Sequence, residues 1–217
     1  MENPIENYWK IRLNDLKRSL EQNQFEVHFA ESSSRAKEIV LKELVPKINP
    51  QSVSWGGSMT FRDTGLYDEF KGMHGIEVLD TYDTSKSPEE RLEIRRRSLL
   101  VDLFITGSNA VTDSGILVNL DMMGNRVGGL TFGPKHVIVL VGRNKLVADL
   151  DEAMLRIKEY AAPANAMRLD MKTPCVKTGN CEDCSSPGRI CNTWVITEKS
   201  FPKARVKVVL INQALGL

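Results

Sequence analysis

Residues Thr106 to Gly129 read TGSNAVTDSGILVNLDMMGNRVGG, set between the apolar run Leu103-Phe104-Ile105 and a second run from Val137 to Val141. Short apolar runs bounded by glycine fit strands of a covered parallel sheet. The segment between them then reads as a site-forming loop, because ligands of open α/β sheets gather at the carboxyl ends of the strands. Gly107, Gly115, Gly124, Gly128, Gly129 and Gly133 permit close backbone approach, while Asn109, Thr112, Asp113, Asn119, Asp121, Asn125 and Arg126 supply donors, acceptors and charge. A turn-rich connection would share the glycines; the density of polar groups favours a pocket floor.

Outward from this stretch, helical and strand patterns alternate. Ile5, Trp9, Leu13, Leu16 and Leu20 form the stripe of an amphipathic helix, serving the chain's own core or a homodimer contact. Phe25 to Ala30 alternates like a strand, and Ser32 to Ser34 precede a helix expected to end near Pro46. Ser52 to Thr60, SVSWGGSMT, passes from a strand through Gly56 and Gly57 to Ser58 and Thr60 at a helix start, an arrangement suited to an anion. It lacks the Gly-Lys-Ser/Thr of a nucleotide triphosphate loop and is not the GxGxxG of a dinucleotide fold. Its alternative role is simply to cap a helix. Ile76 to Asp80 reads as a strand, and Ser87-Pro88-Glu89-Glu90 as a capping box opening a helix to about Leu100. The Arg95-Arg96-Arg97 triplet on that helix reads as solvated surface, since at most one or two consecutive residues can face one ligand. A strand from His136 to Val141 and a helix from Asp149 to Tyr160 follow, with Pro163 closing the body; Met154 and Met167 read as core. Trp194 to Ile196 and Val206 to Ile211 read as strands that join the sheet or pair near its edge. Such alternation predicts an α/β protein with a mainly parallel sheet.

The 217 residues carry 29 basic and 28 acidic side chains, so no general field draws nucleic acid or an anionic membrane. No apolar run is long enough to span a bilayer and the first residues lack a secretory pattern, which predicts a cytoplasmic protein. All four cysteines, Cys175, Cys181, Cys184 and Cys191, fall in PCVKTGNCEDCSSPGRICN with spacing C-x5-C-x2-C-x6-C. In a chain without an export signal this clustering favours metal thiolates over disulfides: zinc, or the corners of an iron–sulfur cluster. Reduced buried thiols, or a redox pair at Cys181 and Cys184, are the simpler readings. The division expected is a helix at 1–24, an α/β body at 25–170, a cysteine-rich metal segment at 171–193, and strands rejoining the body at 194–217.

Together, the GGS turn, the TGSNAVTDSGILVNLD…GNRVGGL block, Val141-Gly142 and the cysteine tail resemble the lactate-utilisation (LUD) domain family, and within it the subgroup with a four-cysteine C-terminal segment. The resemblance spans roughly residues 30 to 215. It implies a three-layer α/β/α body with a mixed sheet, like glucosamine-phosphate deaminase, ribose-phosphate isomerase and coenzyme A transferase, and iron–sulfur oxidoreductase partners. Gly56, Gly57 and Ser58 fall in the family's first glycine turn. Asn109, Thr112, Asp113 and Gly115 fall in its central motif, where other members often carry a glutamate and a threonine.

The leading functional reading is a protein that binds a small anionic metabolite: a hydroxy acid, a sugar phosphate or an acyl carrier. Gly57 and Ser58 receive the anion, Asp113 acts as acid–base group or nucleophile, Asn125 and Arg126 orient the ligand, and Lys135 is a second anion contact. The alternatives are an iron–sulfur electron-transfer or assembly subunit without enzymatic activity, and a metabolite-sensing module. Neither the residues nor the resemblance supplies a reaction.

Overall fold

The computed structural model describes residues 3–217. Its centre is a six-stranded sheet in which every pairing is parallel. Four of its strands are β1 (Glu26–Ala30), β2 (Ser52–Trp55), β3 (Glu77–Leu79) and β4 (Leu103–Gly107). Two short strands, β5 (Ala110–Thr112) and β6 (Leu117–Asp121), lie outside it, and β7 (His136–Gly142) returns to it. After β8 (Leu146–Val147) and β9 (Thr193–Thr197), the last strand β10 (Val206–Ile211) completes an order β1-β10-β7-β4-β2-β3.

Alternation along these strands builds two cores. Val137, Val139 and Val141 point to the face covered by Leu13, Leu16 and Leu20 of the helix Pro4–Gln22. Ile138 and Leu140 point to the other, against Ile39, Val40, Phe61, Leu66 and Phe70. Each leucine of that first helix is buried, worth about 1.5–3 kcal/mol, so the helix is part of the body and no separate appendage.

Several sequence expectations need correction. The stretch after β4 is no loop: β5 and β6 form a hairpin in a second sheet, β8-β5-β6-β9, whose β5–β6 and β6–β9 pairings are antiparallel. The central sheet is wholly parallel, in line with the mainly parallel sheet expected, and the mixed pairing falls in the second sheet. β10 joins the sheet, one of the two readings of this run, and lies at its centre between β1 and β7.

The helix from Ser33 ends at Ile48, near Pro46 as expected, whereas Pro163 does not close its helix. Residues 33–48 stay helical through a wide turn at Ile39–Leu44 into Val45–Ile48, and residues 150–168 through a similar turn at Ile157–Ala161 into Ala162–Arg168. In both, proline stands in the first two positions after the π-type turn, where its missing N–H is tolerated. Met167 is exposed instead of core. The capping box forms as read: Ser87 accepts from the Glu90 N–H at 3.2 Å and Glu90 accepts from the Ser87 N–H at 2.8 Å.

Candidate functional site

Segments leaving the carboxyl ends of β2, β3, β4 and β7 converge on a cavity of about 450 Å³. Gly57 and Ser58 follow β2, Tyr82 follows β3, Ser108 and Asn109 follow β4, and Lys145 follows β7. Further wall comes from the end of β6 and the start of the helix Asn125–Thr131, from the helix Pro88–Arg97, from the helical residues 150–168 and from Ile190. A volume of this size suits one small molecule.

The Gly-Gly-Ser turn is held from below. Trp55, Tyr67 and Tyr82 stack around it, and the Tyr82 hydroxyl accepts from the Ser58 N–H (3.0 Å) while donating to the Gly56 carbonyl (2.9 Å). Burial raises the Tyr82 pKa, keeping the phenol protonated for that donation. Ser58 caps the helix Met59–Asp63 by accepting from the Phe61 N–H. Capping is therefore realised here, on a helix of only five residues.

Charge distinguishes the cavity. Arg62, Arg91, Arg95, Arg126, Lys145 and Arg168 line it against one acid, Asp121. Asp121 is occupied, pairing at 3.0 Å with Arg126. Arg126, 7% exposed, also donates to Asn119 and Asn109 side chains and to the Gly107 and Leu120 carbonyls. Gly56 makes room for it, since a Cβ there would lie 2.5 Å from Arg126 Cγ. The expected orienting arginine is thus committed to tying β4, β6 and its own helix together.

The other arginines are left without acids: among the described residues, Arg62, Arg91, Arg95 and Arg168 make no ion pair, and Arg91 Nε is buried with no hydrogen-bond partner. Arg91 and Arg95 stand one helical turn apart on the same face. Burial, then repulsion from Arg91, lowers the Arg95 pKa. Of the triplet expected at the surface, Arg96 and Arg97 do pair outward with Glu93 and Glu77, but Arg95 turns inward.

Gly57, Ser58, Thr60, Asn109, Asn125 and Arg126 of the sequence-derived site line the cavity. Gly56 sits just behind the lining. Thr112, Asp113 and Gly115 lie elsewhere, at the β5–β6 turn against the first helix. Asp113 accepts two hydrogen bonds from Arg12, at 2.6 and 2.8 Å, and Thr112 stabilises its own turn through Ser114 and the Ile116 N–H. Gly115, at φ +78°, lies so close to helix backbone that a Cβ would stand 2.8 Å from the Leu20 nitrogen. Lys135 pairs with Asp102 at 2.8 Å and is largely exposed.

Arg62, Tyr82, Arg91, Arg95, Lys145 and Arg168 escaped the sequence reading. Lys145 was the most accessible of these, because it closely follows a buried strand whose carboxyl end should face a ligand. It is 3% exposed and makes no hydrogen bond or ion pair among the described residues. Burial, reinforced by Arg156 and Arg126 and opposed by Asp63, lowers its pKa to about 7.

The four cysteines share a smaller cavity on the far side of Ile190, which borders both. All are partly buried and reduced. Arg189 braces the segment, donating to the Cys184 and Cys191 carbonyls and to Asp183. For Lys158, burial alone would lower the pKa; the Asp183 hydrogen bond and the charges of Cys181 and Cys191 reverse this and raise it. Among the described residues no three cysteine, histidine or acidic side chains converge tightly enough to hold a metal ion.

An α/β protein with a basic cavity at the carboxyl edge of a parallel sheet is the class defined by this geometry. Residues 13–211 match the LUD domain model, and the chain belongs to the LUD domain family. The crystal structure of a DUF162 family protein from Deinococcus radiodurans has a similar fold, with a TM-score of 0.52 and 14% identity over 94% of this chain and 98% of that one. No curated protein matches the chain.

Proposed function

We propose that the chain binds a small anionic metabolite, a hydroxy acid, a sugar phosphate or the acidic end of an acyl carrier, in the sheet-edge cavity. The reading rests on one observation: basic groups surround the cavity and its single acidic side chain is already paired. Arg91 and Arg95 are half-buried with no acid beside them, and an anionic ligand would supply the missing counter-charge. Arg91 and Arg95 would hold the carboxylate or phosphate, with planar donor forks that match either group. Asn109 and the open backbone at Gly57 would complete the contacts. LUD membership supports a place in lactate or related organic-acid metabolism, and the sheet-edge position accords with the three-layer sugar-phosphate and coenzyme A folds that the sequence resembles.

Thermal unfolding with phosphate, malonate and lactate beside neutral analogues tests this. The anions should raise Tm progressively with ligand concentration, logarithmically once it exceeds Kd; equal, negligible shifts for charged and neutral compounds would remove the basis for the reading.

A second reading concerns the cysteines. We infer that Cys175, Cys181, Cys184 and Cys191 hold a zinc ion or an iron–sulfur cluster once the segment closes around it. Four thiols on one cavity wall, with Lys158 and Arg189 to offset thiolate charge, support it. A bound ion would order the segment, and a cluster would supply electron transfer. Metal content of anaerobically purified protein decides: about one zinc, or iron with sulfide, per chain supports this reading, and metal-free protein of unchanged stability contradicts it.

A further inference from the structure

Two lysines in this molecule are almost wholly buried, and they differ in one respect. Lys207 donates to the Ala204 carbonyl at 2.7 Å and lies 3.8 Å from Glu26. Lys145, equally buried, faces the anion cavity with no partner. Its position is firm. Lys145 ends a short turn, Arg143–Lys145, that is pinned on both sides: the Asn144 carbonyl accepts from Arg156, the Asn144 side chain accepts from the Leu215 N–H, and Arg143 pairs with Glu6. A rigid turn thus presents a desolvated amine to the space that the arginines leave for an anion.

We propose that Lys145 forms an imine with the carbonyl carbon of a small oxo acid or keto-phosphate whose anionic end is held by Arg91 and Arg95. The proposal rests on the anion-binding reading and narrows its ligand to anions that also carry an aldehyde or ketone. The Nζ lone pair adds to the carbonyl carbon as the C=O π pair moves onto oxygen. Both amine hydrogens then leave with that oxygen as water, a C=N bond replaces C=O, and uptake of one proton gives the iminium. No oxidant or reductant enters. Only the neutral amine can attack, and burial beside the charges of Arg156 and Arg126, opposed by Asp63, gives Lys145 a large neutral fraction near pH 7, whereas an exposed lysine is almost fully charged. The iminium restores a cation, which the bound anion can balance.

Borohydride trapping tests the step. The protein is incubated separately with pyruvate, glyoxylate and dihydroxyacetone phosphate, reduced with sodium borohydride, and mapped by peptide mass spectrometry. At least one compound should leave a secondary-amine adduct on Lys145, labelled at pH 7 on the order of 1000-fold more than exposed lysines because of its neutral fraction. Excess phosphate should suppress it, and Lys145→Arg should abolish it. Absence of adduct with all three, or labelling spread over surface lysines, overturns the proposal. Because the site is mapped in the unaltered protein, the result stands even if Lys145→Arg fails to fold. Phosphate-induced thermal stabilisation, measured in parallel, separates the two ideas. Stabilisation without adduct removes the imine and leaves anion binding; absence of both removes both.

Discussion

Arg126 and the pair Arg91–Arg95 line the same cavity, yet one is fully partnered and the others are not. Arg126 donates to five oxygens from three segments and neutralises Asp121. Arg91 keeps a buried Nε without an acceptor, and Arg95 sits beside it with a lowered pKa. The contrast separates two uses of buried charge. Where folding satisfies every donor, the residue belongs to the scaffold; where it leaves donors open toward a cavity, an anionic ligand can take them up.

The contrast can be broken most forcefully at Arg126. Arg126→Met should destabilise the protein by about 3–5 kcal/mol in denaturant unfolding, because it strands Asp121 and several buried acceptors. A loss below about 1 kcal/mol would show that the network is not structural. Lys145→Met should act in the opposite direction and depend on pH. The folded pKa of Lys145, about 7, lies below the value of about 10.4 of an unfolded lysine. The folded state then binds fewer protons between these values, so the wild-type protein pays its full penalty below pH 7 and recovers as pH rises toward 10. Lys145→Met should therefore stabilise most at pH 6 and lose that advantage by pH 10; a gain independent of pH would mean that Lys145 is not held neutral. The smallest effect belongs to Asp113. Its pair with Arg12 is more than a third exposed on both sides, so Asp113→Asn should cost about 0–1 kcal/mol and leave anion-induced stabilisation unchanged.

Much of the scaffold was legible because its signals are local. Apolar runs such as Val137 to Val141, the Ser87 capping box and the Leu13-Leu16-Leu20 stripe each carry their own periodicity or cap. The order of strands was not legible: Val206 to Ile211 could join the sheet or pair near its edge, and its place between β1 and β7 is a long-range choice with no local mark. Pro163 looks like a stop, and only the wide turn before it shows how the helix accommodates it.

The site was half visible for a related reason. Gly57, Ser58 and Asn109 follow buried strands, and the rule that carboxyl ends face ligands finds them. Arg91 and Arg95 come from a helix so polar that its inner face has no apolar marker. Asp113 drew attention by standing in a glycine-rich motif, but that motif divides after β4, with Asn109 at the cavity and Asp113 against the first helix. One unbroken stretch thus serves ligand and packing in turn.

Isothermal titration of phosphate into the wild-type protein and into an Arg91→Ala/Arg95→Ala double variant addresses the unpaired arginines most directly. The wild type should bind one phosphate per chain. The double variant, folded and at least as stable once the like charges are gone, should bind ~10-fold to 100-fold more weakly, the loss expected for removing charge-assisted hydrogen bonds of about 1.5–3 kcal/mol. Equal affinity in the two proteins, or no heat of binding in either, would contradict the assignment of this cavity to an anion.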